Sequence, residues 1–199
     1  FDPGIGTVNL TSEGLYEVFF AKYDAGGNYL WANRIGSTGN DISRSIFLDG
    51  SGNLYITGYF DVTTDFDPGP GNAYLTSVGG WDNFFGKYDA NGNYIWAKRI
   101  GNGVADNSYS IVGDNSGNVY IIGRFYGTVD FDHGTGTANL TSTGNADIFF
   151  AKYDTDGNYL WANGIGSSSG DIGNSIAVDA SGNVLITGFF GGTADFDPG

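Results

Sequence analysis

The sequence predicts an all-β fold of tandem four-stranded antiparallel sheets, and three observations predict it. Glycine accounts for 35 of the 199 residues and stands beside 15 Phe and 13 Tyr, a mixture of turn formers and strand formers. No stretch carries a convincing 3.6-residue apolar period. The chain also repeats itself. Phe1-Asp2-Pro3-Gly4 returns as Phe66-Asp67-Pro68-Gly69, as Phe131-Asp132-His133-Gly134 and as Phe196-Asp197-Pro198-Gly199. Each step is 65 residues without a gap, and 32 of the 65 positions are identical in all three copies. Copies so aligned keep every loop at one length and predict one shared backbone. They run 1–65, 66–130 and 131–195, and residues 196–199 open a further one.

Two hairpins are expected in each copy. The first pairs Val18-Phe19-Phe20-Ala21-Lys22-Tyr23 with Tyr29-Leu30-Trp31-Ala32-Asn33-Arg34-Ile35, and the second pairs a strand near Ser45–Leu48 with Leu54–Phe60. Their turns share one plan: Asp24-Ala25-Gly26-Gly27-Asn28 matches Asp49-Gly50-Ser51-Gly52-Asn53. Asp accepts backbone N–H bonds, while Gly and Asn tolerate the positive φ that a short loop demands. The plan recurs at Asp89, Asp114, Asp154 and Asp179. The stretch from Asp61 to Val78 reads as an ordered loop, anchored by Phe66 and Leu75, with a short strand at Tyr74-Leu75-Thr76.

The strands are apolar on both faces, which calls for burial on both faces. Stacked sheets or radial packing about an axis would supply it. The string Asp147-Ile148-Phe149-Phe150-Ala151-Lys152-Tyr153-Asp154, with Gly157-Asn158, Trp161-Ala162, Ser175-Ile176-Ala177-Val178-Asp179, Ser181-Gly182-Asn183 and Ile186-Thr187-Gly188, resembles the bacterial SBBP (beta-propeller) repeat family. The resemblance covers all three copies. It implies four-stranded propeller blades in large secreted or surface proteins, and it implies no catalytic residues. Closed propellers use about four to eight blades, so three copies are expected to belong to something larger: a longer chain, a ring completed by a second chain, or a filament.

Net charge is −14, from 22 acidic and 8 basic residues. That balance argues against a nucleic-acid or anionic-membrane partner, both of which need a basic footprint. It suits an extracellular or cell-surface place, or cation binding. Without Cys there are no disulfides, thiol nucleophiles or thiolate metal sites. No apolar run approaches membrane-spanning length.

A catalytic site is usually unique, whereas the carboxylates here recur at the 65-residue step, so no enzyme is expected. The carboxylates that stand out are Asp65 with Asp67, Asp130 with Asp132, and Asp195 with Asp197. Two positions apart on an extended strand, each pair shares a face at about 6.5 Å. Such a pair could begin a Ca²⁺ site, or could cap the Asp-Pro-Gly turn. His133, where the other copies have Pro, reads as a turn residue. Asp41, Asp106 and Asp171 read as turn caps, Lys22, Lys87 and Lys152 as partners of a nearby Asp, and Trp31, Trp96 and Trp161 as packing anchors. Trp81 replaces Tyr16 and Ala146, so the fold does not demand it. The functional expectation is a structural or adhesive repeat protein that associates with itself. A carbohydrate-binding propeller that uses the recurring Trp and Asp on a polysaccharide is the alternative.

Overall fold

The computed structural model describes Gly4 and residues 6–197. The first Phe-Asp-Pro of the repeated motif, Ile5, Pro198 and Gly199 lie outside the described residues. In chain order the strands are β1 (Val18–Tyr23), β2 (Tyr29–Ile35), β3 (Asp41–Leu48), β4 (Leu54–Phe60), β5 (Thr63–Asp65), β6 (Tyr74–Thr76) and β7 (Asp82–Tyr88). There follow β8 (Tyr94–Ile100), β9 (Asn107–Gly113), β10 (Val119–Asp130), β11 (Asn139–Tyr153), β12 (Tyr159–Ile165), β13 (Ile172–Val178) and β14 (Val184–Phe189). Every pairing between strands is antiparallel.

Two four-stranded sheets form, in the orders β3-β4-β7-β8 and β9-β10-β11-β12. The pairs β1-β2, β13-β14 and β5-β6 make two-stranded sheets. The short strand expected at Tyr74–Thr76 is β6, and it pairs with β5. In the second large sheet its counterpart merges into β10 and β11, where Thr128 faces Thr141.

The expectation of one four-stranded sheet per copy is corrected. Both large sheets straddle a copy boundary, because the second hairpin of one copy pairs with the first hairpin of the next. The joining register sets Leu54 opposite Tyr88 and Phe60 opposite Asp82, and it recurs with Val119 opposite Tyr153 and Phe125 opposite Asp147. Among the described residues the sheets do not close into a ring.

The sheets stack face on face, and three cores fill the spaces between them. Val18, Phe20 and Ile35 pack on Leu54, Ile56 and Tyr88. Tyr55, Phe85 and Ile100 meet Ile111, Ile121, Phe149 and Tyr153. Tyr120, Ile122 and Ile148 meet Ile176 and Ile186. Consequently β4 and β7 are buried along their whole length, while β1 and β14 bury one face at most. The two-sided burial that the apolar strands called for is found in the central sheets.

The hairpin turns are built as the sequence suggests. Asp24 accepts the backbone N–H groups of Gly26 and Asn28 at 2.8 Å, and its second oxygen accepts the Asn28 amide at 2.9 Å. Asn28 thereby holds the Asp24 carboxyl below the usual carboxylate range, its side chain contributing most. The arrangement recurs at Asp49, Asp89, Asp114, Asp154 and Asp179.

Some of these turns also join one sheet to the next. A Cβ on Gly157 would lie 3.1 Å from the Trp96 ring, and one on Gly92 equally close to Trp31. Lys22 Nζ donates to the Ala90 carbonyl and Lys87 Nζ to that of Thr155, each at 3.2 Å. Each turn therefore receives a Trp face and a Lys tip from the preceding sheet.

Two substitutions follow from these backbones. Gly157 and Gly182 both have positive φ (79° and 84°), but nothing lies within 4 Å of a Cβ on Gly182. Gly182→Ala is expected to cost about 1 kcal/mol from conformation alone. Gly157→Ala should cost at least about 1 kcal/mol more, because it also pushes against Trp96; urea denaturation of the two variants measures the difference. Val62 is the second case. It has φ 54° at the position held by Gly127 and Gly192 in the other copies, a conformation that costs a β-branched residue dearly. Val62→Gly is expected to raise stability by about 1 kcal/mol, read as a higher urea midpoint with unchanged slope.

Candidate functional site

The acidic pairs lie where the structure repeats a groove. Asp65 spends one oxygen on the N–H groups of Asp67 (3.0 Å) and Ala73 (2.8 Å), and Asp67 accepts from Gly69 at 2.8 Å. Asp130 and Asp132 make the same bonds to Asp132, Ala138 and Gly134, and Asp195 accepts from Asp197. The turn-capping role is thus built. Each pair also faces the outermost strand of a neighbouring sheet.

One groove, of about 620 Å³, sets Asp65 and Asp67 opposite Asn33 and Arg34 of β2. A second, of about 500 Å³, sets Asp130, Asp132 and His133 opposite Lys98 and Arg99 of β8. A third, of about 360 Å³, sets Asp195 and Asp197 opposite Asn163 and Gly164 of β12. Among the described residues no group of three or more carboxylate or imidazole side chains converges to hold a metal ion. Calcium in the first two grooves would therefore have to bind a pair whose members have each committed oxygen to backbone N–H groups.

The guanidinium groups in the grooves are anchored from behind. Arg34 Nη1 donates to Glu17 at 2.9 and 3.1 Å, and Nη2 to Glu13 at 2.8 Å. Arg99 Nη1 donates to buried Asp82 at 2.7 Å and to the Gly101 carbonyl at 3.2 Å. Sequence reasoning missed these pairs because the partners stand 17 or 21 residues apart and meet only across the strand pairing. The available signal was that an acid recurs at 17, 82 and 147 in the three copies.

His133 is half-buried between sheets, stacked on Tyr153 and hydrogen-bonded through Nε2 to the Gly157 carbonyl. Burial lowers its pKa. Trp31 and Trp96 are spent on packing against the next turn, as anchors should be, and Trp96 Nε1 donates to Thr155. Trp161 packs edge-on against Tyr120 and Phe150. The lysines divide. Lys152 reaches Asp114 at 3.5 Å, while Lys87 lies over the Tyr55 ring. Partly exposed Trp81 lies against Tyr59, whose ring and hydroxyl also engage Arg44. That aromatic–arginine patch was not foreseen beyond Trp81 itself.

Asp41, Asp106 and Asp171 cap turns but are fully buried. Asp41 accepts from Ser37 N–H, Ser37 Oγ and Thr64 Oγ1, all at 2.7 Å. Among the described residues Asp106 accepts only backbone N–H groups, from Asn102 at 3.0 Å and Tyr126 at 2.9 Å, because Asn102 and Val129 stand where the first copy has Ser37 and Thr64. Burial pushes the Asp106 carboxyl up to about 7, with Asp82 adding to the rise.

The stacked antiparallel sheets and their recurring grooves point to a repeat protein of the β-propeller type. No family model matches the chain, so the SBBP resemblance rests on its motifs. The sequence is similar to a WD repeat-containing protein of Acanthamoeba polyphaga mimivirus, 32% identical over 193 residues that cover 87% of this chain and 13% of the relative. It is also similar to the regulatory protein FlaEY of Caulobacter vibrioides, 26% identical over 173 residues that cover 85% of this chain and 18% of the relative. The chain thus spans less than a fifth of either relative's length.

Asp106 yields a pH prediction. A carboxyl with folded pKa near 7, above its unfolded value of 3.8, contributes stability at acid pH that is lost as pH rises through 7. Val129→Thr supplies the hydroxyl that Thr64 gives Asp41. It is expected to add about 1 kcal/mol at pH 8, where the carboxylate is ionised. The gain should vanish near pH 5; urea midpoints of the two proteins across that range check it.

Proposed function

We propose that this chain is a binding and structural scaffold, not a catalyst, and that it continues head to tail into a larger assembly. One observation carries the reading. Phe60, Phe66 and Phe84 form a fully buried trio, and Phe125, Phe131 and Phe149 form its copy. Residues equivalent to such a trio stand at the two ends of the stack. Phe190 and Phe196 pack together at one end with exposures of 52% and 55%, and Phe19 stands 57% exposed at the other.

The strands that carry them match as well. β14 occupies the place of β4 and β10, and β1 the place of β7 and β11, yet among the described residues each is paired on one edge only. Setting β14 against the β1 of another unit, in the register of Leu54 opposite Tyr88, completes a four-stranded sheet. It also brings Phe190 and Phe196 of one unit beside Phe19 of the other. Burying a large apolar side chain is worth roughly 1.5–3 kcal/mol, so three together drive association. Contacts of this kind close into rings or run on as filaments. The net charge of −14 supports work outside the cell, where the grooves would be the binding surface.

In the isolated 199-residue chain the only available partner is a second copy. Light scattering is expected to show a mass that rises with concentration for the native chain. Phe19→Glu and Phe190→Glu should each remain monomeric with unchanged circular dichroism, since both side chains are already exposed. A native chain that stays monomeric up to millimolar concentration overturns the proposal.

A further inference from the structure

We infer that the third groove is a receptor site for a guanidinium group, such as an arginine side chain of a partner, because this copy lacks the arginine that fills the place in the other two. Arg34, Arg99 and Gly164 occupy equivalent positions. In the first copy the arginine pairs with Glu17 and in the second with Asp82. In the third the acid remains and the cation is gone.

That acid, Asp147, is 3% exposed and lines the groove with Asp195, Asp197, Asn163, Thr141 and Thr143. One of its oxygens accepts from Thr143, through N–H at 2.8 Å and the hydroxyl at 3.0 Å. The other, Oδ1, has no partner. Asp82 also leaves its Oδ1 without a partner, but there Arg99 neutralises the charge through Oδ2. Asp147 has no ion pair among the described residues. A buried carboxylate without a counter-charge is costly, and a cation entering from the groove removes that cost.

The remaining acceptors fit a guanidinium. Arg99 also donates to the Gly101 carbonyl, and Gly166, its equivalent, lines the third groove. Arg34 also donates to the Thr11 carbonyl, and Thr141, its equivalent, lines the groove too. Asp195 and Asp197 add negative charge at the mouth. The three carboxylates do not converge on a single point as a metal ion would require, so a planar, multi-donor organic cation is the better match.

The test titrates the chain with methylguanidinium chloride, followed by calorimetry and by melting temperature. The variants are Gly164→Arg, Gly164→Ala and Asp147→Asn. A Cβ at Gly164 would meet Phe125 at 3.7 Å, an ordinary contact, so the backbone accepts a side chain there. The native chain and Gly164→Ala are expected to bind one equivalent and to melt about 2–4 °C higher when it is bound. Gly164→Arg should melt higher without ligand and bind at least tenfold more weakly, its own guanidinium occupying the place. Asp147→Asn, which keeps the shape, should lose binding by a similar factor. Equal responses from all four proteins, no saturable binding by the native chain, or a response to calcium chloride in place of methylguanidinium would each overturn the assignment.

Discussion

Face-to-face burial is the constraint on which the rest of this structure depends. A sheet whose strands are apolar on both sides is stable only between two others. The difference shows within one chain: Phe84 and Phe149 are wholly buried, while Phe19, the same residue one copy earlier, is more than half exposed. Because the faces are taken up by apolar packing, many polar groups are satisfied at the rims. There Asp takes up turn N–H groups, buried Asp41 and Asp171 collect hydroxyls as well as N–H groups, and arginine answers the carboxylate beneath the outer strand. The core thus dictates the stacking, and the rims dictate what the surface can bind.

The rims are also where the copies differ. Position 34 in the first copy is Arg, at 99 Arg and at 164 Gly; position 33 is Asn, at 98 Lys and at 163 Asn. Core positions such as Phe20, Tyr23 and Ile35 are the same in all three. A stack of near-identical backbones therefore carries grooves with different electrostatics, from the doubly cationic face of Lys98 and Arg99 to the third groove, whose charged residues are all acidic. Identity of fold and individuality of surface are separable because they reside on different side chains.

Much of this was legible in the sequence. The Asp-to-Asn turns are local, so their hydrogen bonds could be read from five consecutive residues. So could the caps at Asp65 and Asp67, and the strand at Tyr74–Thr76. The pairing of hairpins could not, because a periodic sequence without gaps has no phase. Cut at any residue, the copies align equally well, and only the packing of β4 against β7 reveals that the sheets straddle the boundary. The partners of Arg34 and Arg99 were hidden for a related reason, since they meet across a strand register and not along the chain. The burial of Asp106 was equally invisible, because an Asp before a strand looks the same whether its cap faces water or a core.

The straddling of copies by sheets has a consequence for how such a chain can change length. A sheet that borrows half its strands from each of two successive copies belongs to neither. Removing any 65 consecutive residues, wherever the cut falls, takes away one sheet's worth of chain and rejoins the remainder with every turn at its original length. Inserting a copy does the reverse. The architecture is indifferent to the breakpoint, so the number of sheets can drift by whole units while each junction between them keeps the same register.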